Sequence, residues 1–451
     1  MELLLPVFAL AGLVWALVVL RRATPYGLSL TSLMLGVCAG PNLFHVSALS
    51  LDRAVFGLTL GVTGWAWRCG QLGPWRWQKS DLLVLAWIAW LTLSTLTHDV
   101  TWAGGVSVST LLFYYLIPGA TYVVARTTTW NASRWKVWWV SFAVLGVYLG
   151  LTAVAEVKQI HWAVFPRYII SPAYPEFLGR GRGPLINPVG NGLYLNAALL
   201  SCVVAAAGIR DRRTRILLSV AAVIALGGCY LTLTRSVWMG AGASLLVIAA
   251  VLVPGRWRLP ALLGTLVVGL VLIATQWDRL TSFKRDQNVS VADMEQSAKL
   301  RPILATIAWK MFQESPWTGV GLGHYLEHNR QYTSERTGGL PLEKGRPYIQ
   351  HNTALSLLTE TGLIGLLLYV VVFANWGLAA WRRWRDTAAP IEDRSLGLVL
   401  LGLVTAYGVN SMFHELSVIP MVNMLMFLLA GLVCRPCYAH QSASGPSASS
   451  A

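Results

Sequence analysis

Residues Tyr348–Ala380 read YIQHNTALSLLTETGLIGLLLYVVVFANWGLAA. Beyond Asn352 the run is apolar enough, and long enough, to cross a bilayer, since about 20 helical residues rising ~1.5 Å each span the hydrocarbon core. It is entered from a polar loop through His351-Asn352, so an imidazole stands at a water–lipid boundary, within reach of a soluble hydroxyl and of a lipid-borne group. Similar runs of roughly 16–22 apolar residues recur along nearly the whole chain. The composition agrees: 55% of the 451 residues are hydrophobic and 12% charged, with a mean hydropathy of +0.55. The fold expected is an all-α, polytopic transmembrane helical bundle. The pattern argues against a β-barrel, whose strands alternate over about ten residues and give no long continuous apolar run.

Spans are expected at 2–20, 27–48, 51–67, 81–97, 102–125, 136–156, 186–208, 215–233, 236–254, 259–276, 353–380, 396–413 and 417–434. All thirteen would put the N-terminus outside and the C-terminus in the cytoplasm; one re-entrant segment among the first three would leave twelve. The net charge of +15 does not point to nucleic acid. The basic residues cluster at Arg21-Arg22, Arg68 to Lys79, Arg126 to Lys136, Arg210 to Arg215, Arg256 to Arg258 and Arg382 to Arg394. Those are alternate loops, as the positive-inside rule requires. The first apolar run lacks a basic leader and reads as a retained span. Cys434-Arg435-Pro436-Cys437 has a redox or metal spacing, but a lone pair at a helix end reads as structural, and no disulfide framework is implied. Residues 1–434 form one membrane domain, and 435–451 a cytoplasmic tail whose Ser/Ala/Gly-rich end reads as disordered.

Two long connections break the rhythm, at about 157–185 and 277–352, both on the outer side in this topology. Connections of that length usually carry function. The second contains a helix of its own. Leu300, Leu304, Ile307 and Met311 fall on one stripe, with Ile303, Ala308 and Phe312 beside it, and Pro302 suits a first turn. Its N-terminus beside Lys299 and Arg301 would then be an anion site; a structural amphipathic helix with snorkelling basic residues fits the spacing equally.

Four constellations carry chemistry. Thr232-Leu233-Thr234-Arg235-Ser236 puts an arginine at a span boundary, where it either snorkels or meets an anion. Gly179-Arg180-Gly181-Arg182-Gly183 leads into a span, its glycines permitting close approach and its arginines able to hold an anion or simply to be solvated. Pro316-Trp317-Thr318-Gly319-Val320-Gly321-Leu322-Gly323 looks like a phosphate loop but lacks the Lys-Ser/Thr ending, so nucleotide binding is rejected. Glu360 lies within an apolar stretch and must be functional or paired. No Asp-x-Asp pair or zinc spacing appears, and Asp286, Asp293, Glu295 and Glu343 are scattered, so no metal site is expected.

These stretches, in order, resemble the O-antigen ligase and O-antigen polymerase superfamily of bacterial membrane glycosyltransferases. The resemblance rests on Arg182 with its Gly-rich approach, Leu233-Thr234-Arg235, and Arg301 with the following Ala308-Trp309-Lys310-Met311-Phe312 and Pro316-Trp317-Thr318-Gly319-Val320-Gly321. It is completed by His351-Asn352 with Glu360, Gly362 and Gly365. It covers roughly 175–380, and the family usually shows twelve spans with both termini cytoplasmic. It implies a glycan carried on undecaprenyl diphosphate and transferred outside the inner membrane to an acceptor sugar hydroxyl. For a ligase the acceptor is lipid A–core, and for a polymerase another lipid-linked glycan. By position it makes His351 the general base, Arg235 and Arg301 the diphosphate-binding arginines, and Arg180, Arg182, Asn352 and Glu360 candidates for substrate contact, with no cofactor and no metal. The residue types suit that chemistry: unperturbed imidazole titrates near pH ~6.5 and can accept a hydroxyl proton, and guanidinium meets diphosphate charge bidentately. The expectation is a metal-independent, inverting glycosyltransferase of the inner membrane, ligase before polymerase. A transporter of lipid-linked glycans is the alternative from another class, and it would have no use for a base at His351.

Overall fold

The computed structural model describes residues 24–38, 49–72, 75–253, 291–333 and 340–436, with the shorter pieces 45–46, 256, 259–260, 263 and 336–337. Within these residues there are thirteen helices: α1 (Pro25–Cys38), α2 (Leu51–Arg68), α3 (Lys79–Leu96), α4 (Trp102–Arg126, with one π turn), α5 (Ala132–Val157), α6 (Pro188–Gly208) and α7 (Arg212–Leu231). They continue with α8 (Arg235–Leu252), α9 (Val291–Glu314), α10 (Tyr325–Tyr332), α11 (Thr353–Arg385), α12 (Ile391–Ser411) and α13 (Pro420–Cys434). Two ladders of paired dipeptides are the only strands among the described residues. Seven helices, α3 to α8 and α11, are long and apolar enough to cross a membrane, and α1 and α13 are apolar but shorter. The molecule is an all-α polytopic membrane protein.

The expected span at 2–20, that at 259–276 apart from residues 259, 260 and 263, Cys437 and the tail beyond it lie outside the described residues. The run expected at 27–48 gives a helix that ends at Cys38, just before Gly40-Pro41 in the sequence, a dipeptide unfavourable to a continuing helix. The 396–413 run starts earlier than expected, at Ile391, because Glu392 and Asp393 complement the positive end of α12 and Asp393 pairs with Arg435.

Helix α6 is the axis of the bundle, buried along almost its whole length. Its start is set by Asn187, whose side chain accepts from the amides of Val189 (2.9 Å) and Gly190 (3.1 Å), followed by Pro188 at the first helical position. Helices α5, α6 and α7 approach closely through small residues. A methyl on Gly150 would lie 2.7 Å from the Ile224 carbonyl oxygen, and one on Gly146 2.6 Å from the Ala198 methyl. Where lipid tails are as apolar as the side chains, such backbone proximity is what holds helices together.

The two ends of the bundle differ in charge logic. At one end lie Arg126, Arg134, Arg383 and Arg435. Arg126 grips Asp81 through Nε and Nη2, both at 2.6 Å, with the Tyr122 hydroxyl on the same carboxylate at 2.8 Å. That pair ties α3 to α4 within the protein interior. The other end collects the C-termini of α5, α7 and α12, the N-termini of α6, α8 and α11, and helices α9 and α10.

Candidate active site

Helix α9 begins at Val291, so Pro302 and Arg301 lie in its interior and not at its start. The helix N-terminus expected beside Lys299 and Arg301 is therefore absent from that place. The residues from Val291 onward are mostly good helix formers, and they extend the helix upstream despite the proline. The apolar stripe is as expected: Leu300, Ile303, Leu304, Ile307, Ala308 and Met311 are buried, several of them against Val320, Tyr325, Tyr332 and Leu342. Arg301 is thereby turned to the outer, exposed side, with its guanidinium carbon 5.8 Å from the centre of the Phe413 ring.

His351 immediately precedes the N-cap of α11 and holds a left-handed backbone, φ 52°. A β-carbon residue in that region is strained and persists only where its surroundings fix it. They do so here. Asn352 caps the helix by accepting from the Leu355 amide at 3.0 Å and donates to the Met412 carbonyl at 2.9 Å. Thr353 Oγ1 donates to the His414 carbonyl and accepts from the Leu416 amide, each at 2.9 Å. Ser356 donates to Glu415 at 2.5 Å. The loop 412–416 is thus laced to the first turn of α11, and it carries Phe413 under Arg301. Sequence reasoning missed Phe413 and Glu415; the available signal was an aromatic-His-Glu run in a short connection between two apolar helices.

Arg235 is the first residue of α8 and is exposed. The turn before it, with Leu233 at φ 51°, is held from behind by Arg180. Arg180 Nε donates to the Thr232 carbonyl at 3.2 Å and Nη2 to Thr234 Oγ1 at 2.5 Å, and the side chain is buried. The Gly181 amide adds a bond to the Leu231 carbonyl at 2.9 Å. Arg182 faces inward and is fully buried. Its guanidinium donates to the carbonyls of Ile169, Tyr174 and Glu176, while the amides of Arg182 and Gly183 donate to the Glu156 carboxylate at 3.2 and 3.0 Å. It closes the 157–185 loop on itself.

Glu360 is equally internal. Its carboxylate accepts from the Gly323 amide at 2.9 Å, with the Tyr325 amide also directed at it. The Gly-rich stretch is a strap threaded against α11. Val320 and Gly321 donate to the carbonyls of Thr359 and Glu360, both at 2.9 Å, and Leu363 to Pro316 at 2.9 Å. At Gly362 (φ 68°, ψ −172°) α11 breaks, and a β-carbon there would lie 2.2 Å from Trp317. The glycines serve close packing.

Of the seven residues singled out from the sequence, three therefore share one exposed neighbourhood: Arg235, Arg301 and His351. The Arg301 charge acts on both of the others. Among the described residues no carboxylate pairs with Arg301. The protein packed beneath His351 and, second, the Arg301 charge hold its imidazole below the ordinary histidine value. Burial pushes the Glu415 carboxyl up. Among the described residues no group of three or more His, Cys, Asp and Glu side chains could hold a metal ion. Two like charges therefore stand beside an imidazole whose charged form is disfavoured, an arrangement that an incoming polyanion would relieve.

Residues 220–370 match the family model described as O-antigen ligase. That stretch runs from within α7 into α11 and contains Arg235, Arg301 and His351. The match covers about a third of the chain and supports the resemblance to the ligase and polymerase superfamily. No curated protein matches the chain.

Proposed function

We propose that the chain transfers a glycan from undecaprenyl diphosphate to a sugar hydroxyl of lipid A–core, on the periplasmic side of a bacterial inner membrane. The observation that carries this reading is the convergence of Arg235, Arg301 and His351 from segments 116 residues apart in sequence (235 to 351). The orientation is supported by Arg126, Arg134, Arg383 and Arg435, which gather at the opposite end of the bundle, the cytoplasmic one by the positive-inside rule. In the reaction the acceptor oxygen bonds to the anomeric carbon, the bond from that carbon to the diphosphate oxygen breaks, and the hydroxyl proton passes to His351. Arg235 and Arg301 take up the charge that grows on the departing diphosphate. A single displacement inverts the configuration. Arg180, Asn352 and Glu360 support this site from behind, and Arg182 fixes the neighbouring loop.

The test supplies the purified protein with a defined lipid-diphosphate glycan and lipid A–core. One preassembled glycan should be attached per acceptor. A ladder of longer lipid-linked glycans from donor alone would make the chain a polymerase, and passage of donor across a membrane without transfer would make it a transporter.

Transfer should survive chelation. With arginines supplying the positive charge, EDTA-treated enzyme is expected to keep its rate; loss that only Mg²⁺ or Mn²⁺ restores would sink the arginine-only account.

The pH profile has a definite sign. A base works unprotonated, and the His351 pKa lies below 6.5, so the acid limb of kcat/KM, which reports the free enzyme, should fall below pH 6.5. Bound diphosphate cancels part of the Arg301 charge and favours the imidazolium. The acid limb of kcat should therefore sit at higher pH than that of kcat/KM. Coincident limbs would remove the Arg301–His351 coupling from the mechanism.

A further inference from the structure

A threonine at an N-cap ordinarily turns its hydroxyl onto the helix's second or third amide, a bond that stabilises the helix start. Thr234 is the N-cap of α8, with the extended backbone of a cap (φ −119°, ψ 113°), yet its side chain makes no such bond. Its hydroxyl is held elsewhere: it accepts from Arg180 Nη2 at 2.5 Å and donates to the Thr232 carbonyl at 2.9 Å. The amides of Val237 and Trp238 fold back on the Thr234 carbonyl at 3.1 and 3.2 Å. Ser236, the second residue of the helix, has a hydroxyl that is buried, 4% exposed, with no hydrogen-bond partner. An unsatisfied buried hydroxyl is costly, as is the forfeited cap, and both costs fall on one helix turn, the turn that carries Arg235.

Helix N-termini attract anions because their first amides lack internal acceptors and the summed peptide dipoles place about half a positive charge there. We propose that the N-terminus of α8, with the Ser236 hydroxyl, receives one phosphoryl group of the donor diphosphate, and that buried Arg180 is the positioning residue that keeps Thr234 off the cap. This rests on the diphosphate donor of the reading above. Arg180 is itself held over the Phe177 ring, 5.1 Å from its centre, and also bonds the Thr232 carbonyl, so the Leu233 turn and the open cap are set by one side chain. Oxygens of a phosphoryl group would accept from the Ser236 hydroxyl and the Ser236 amide, while Arg235 and Arg301 reach the same group from its exposed side.

Binding of undecaprenyl diphosphate to the purified protein is the measurement, with undecaprenol and inorganic pyrophosphate as parallel probes. Ser236→Ala should raise the Kd for undecaprenyl diphosphate about 10–100-fold, the loss of a hydrogen bond to a charged group, and leave undecaprenol binding as it was. Pyrophosphate binding that weakens in step would identify the phosphoryl group itself as what is read. Arg180→Gln should raise the donor KM more than it lowers kcat, because Thr234 can then cap the helix. Adding Thr234→Val, which removes the competing hydroxyl, should recover part of that loss, a rescue that a merely structural arginine would not give. Should Arg180→Gln fail to fold, Ser236→Ala alone decides. Donor binding unchanged in Ser236→Ala overturns the subsite even if transfer proceeds. Weakened diphosphate binding in a chain that transfers no glycan leaves the subsite standing and removes the transferase reading.

Discussion

His351→Ala is expected to lower glycan transfer by about 10²–10⁴-fold, the usual contribution of a general base, with the Kd for the lipid-diphosphate donor nearly unchanged. The side chain is exposed and belongs to no core cluster, and the cap of α11 is made by Asn352. Truncation therefore removes the base while the bonds from Asn352, Thr353 and Ser356 to the 412–416 loop remain. It also relieves nothing of the left-handed strain, since alanine carries the same β-carbon. The pH dependence on the acid side should vanish with the imidazole. A folded His351→Ala protein that turns over at the wild-type rate would take the residue out of the mechanism and favour transport.

Arg301→Ala should cost about 10²–10³-fold in transfer, comparable to deleting one preorganised donor from a site where transition-state charge develops. The expected damage is catalytic more than structural. The buried stripe of α9 lies on its other face, and what Arg301 lies over is the half-buried Phe413 ring. Arg301→Lys should recover only part of the rate, because an ammonium lacks the planar fork that meets two oxygens at once. One further sign separates loss of a binding charge from misfolding. Removing the positive charge that lowers the His351 pKa should move the acid limb of kcat/KM upward in the alanine variant. Desolvation by the protein packed beneath the ring, the larger cause of the lowering, remains, so the move is partial. An unmoved limb with a lost rate would mean that Arg301 acts on the fold.

The long helices were legible because periodic apolarity and bilayer length are local properties, and α3 to α8 and α11 follow the expected runs within a few residues. So were Arg235, Arg301 and His351 as candidates, each being a polar group at a boundary where it must be explained. Arg180 and Arg182 were less legible. Flanked alike by glycines, they end in different places, one behind the Leu233 turn and one inside its own loop, and only packing decides between them. The upstream extension of α9 through Pro302 was hidden because a proline reads as a start, whereas tertiary contacts can carry a helix across it. Phe413 and Glu415 were invisible as site residues, since their importance comes from a loop lying against a segment some sixty residues earlier (353 to 414).

The break of α11 at Gly362 gives that helix two separate loyalties. Beyond it, the long arm buries Tyr369, Val372, Trp376 and Ala380 in the core of the bundle, and its direction follows that packing. Above it, the short arm that ends in His351 is strapped by residues 316–323 and the 412–416 loop, and it owes its orientation to them. The break thus uncouples the direction of the two arms, and the placement of His351 is set by its protein neighbours and not by the line of the long helix.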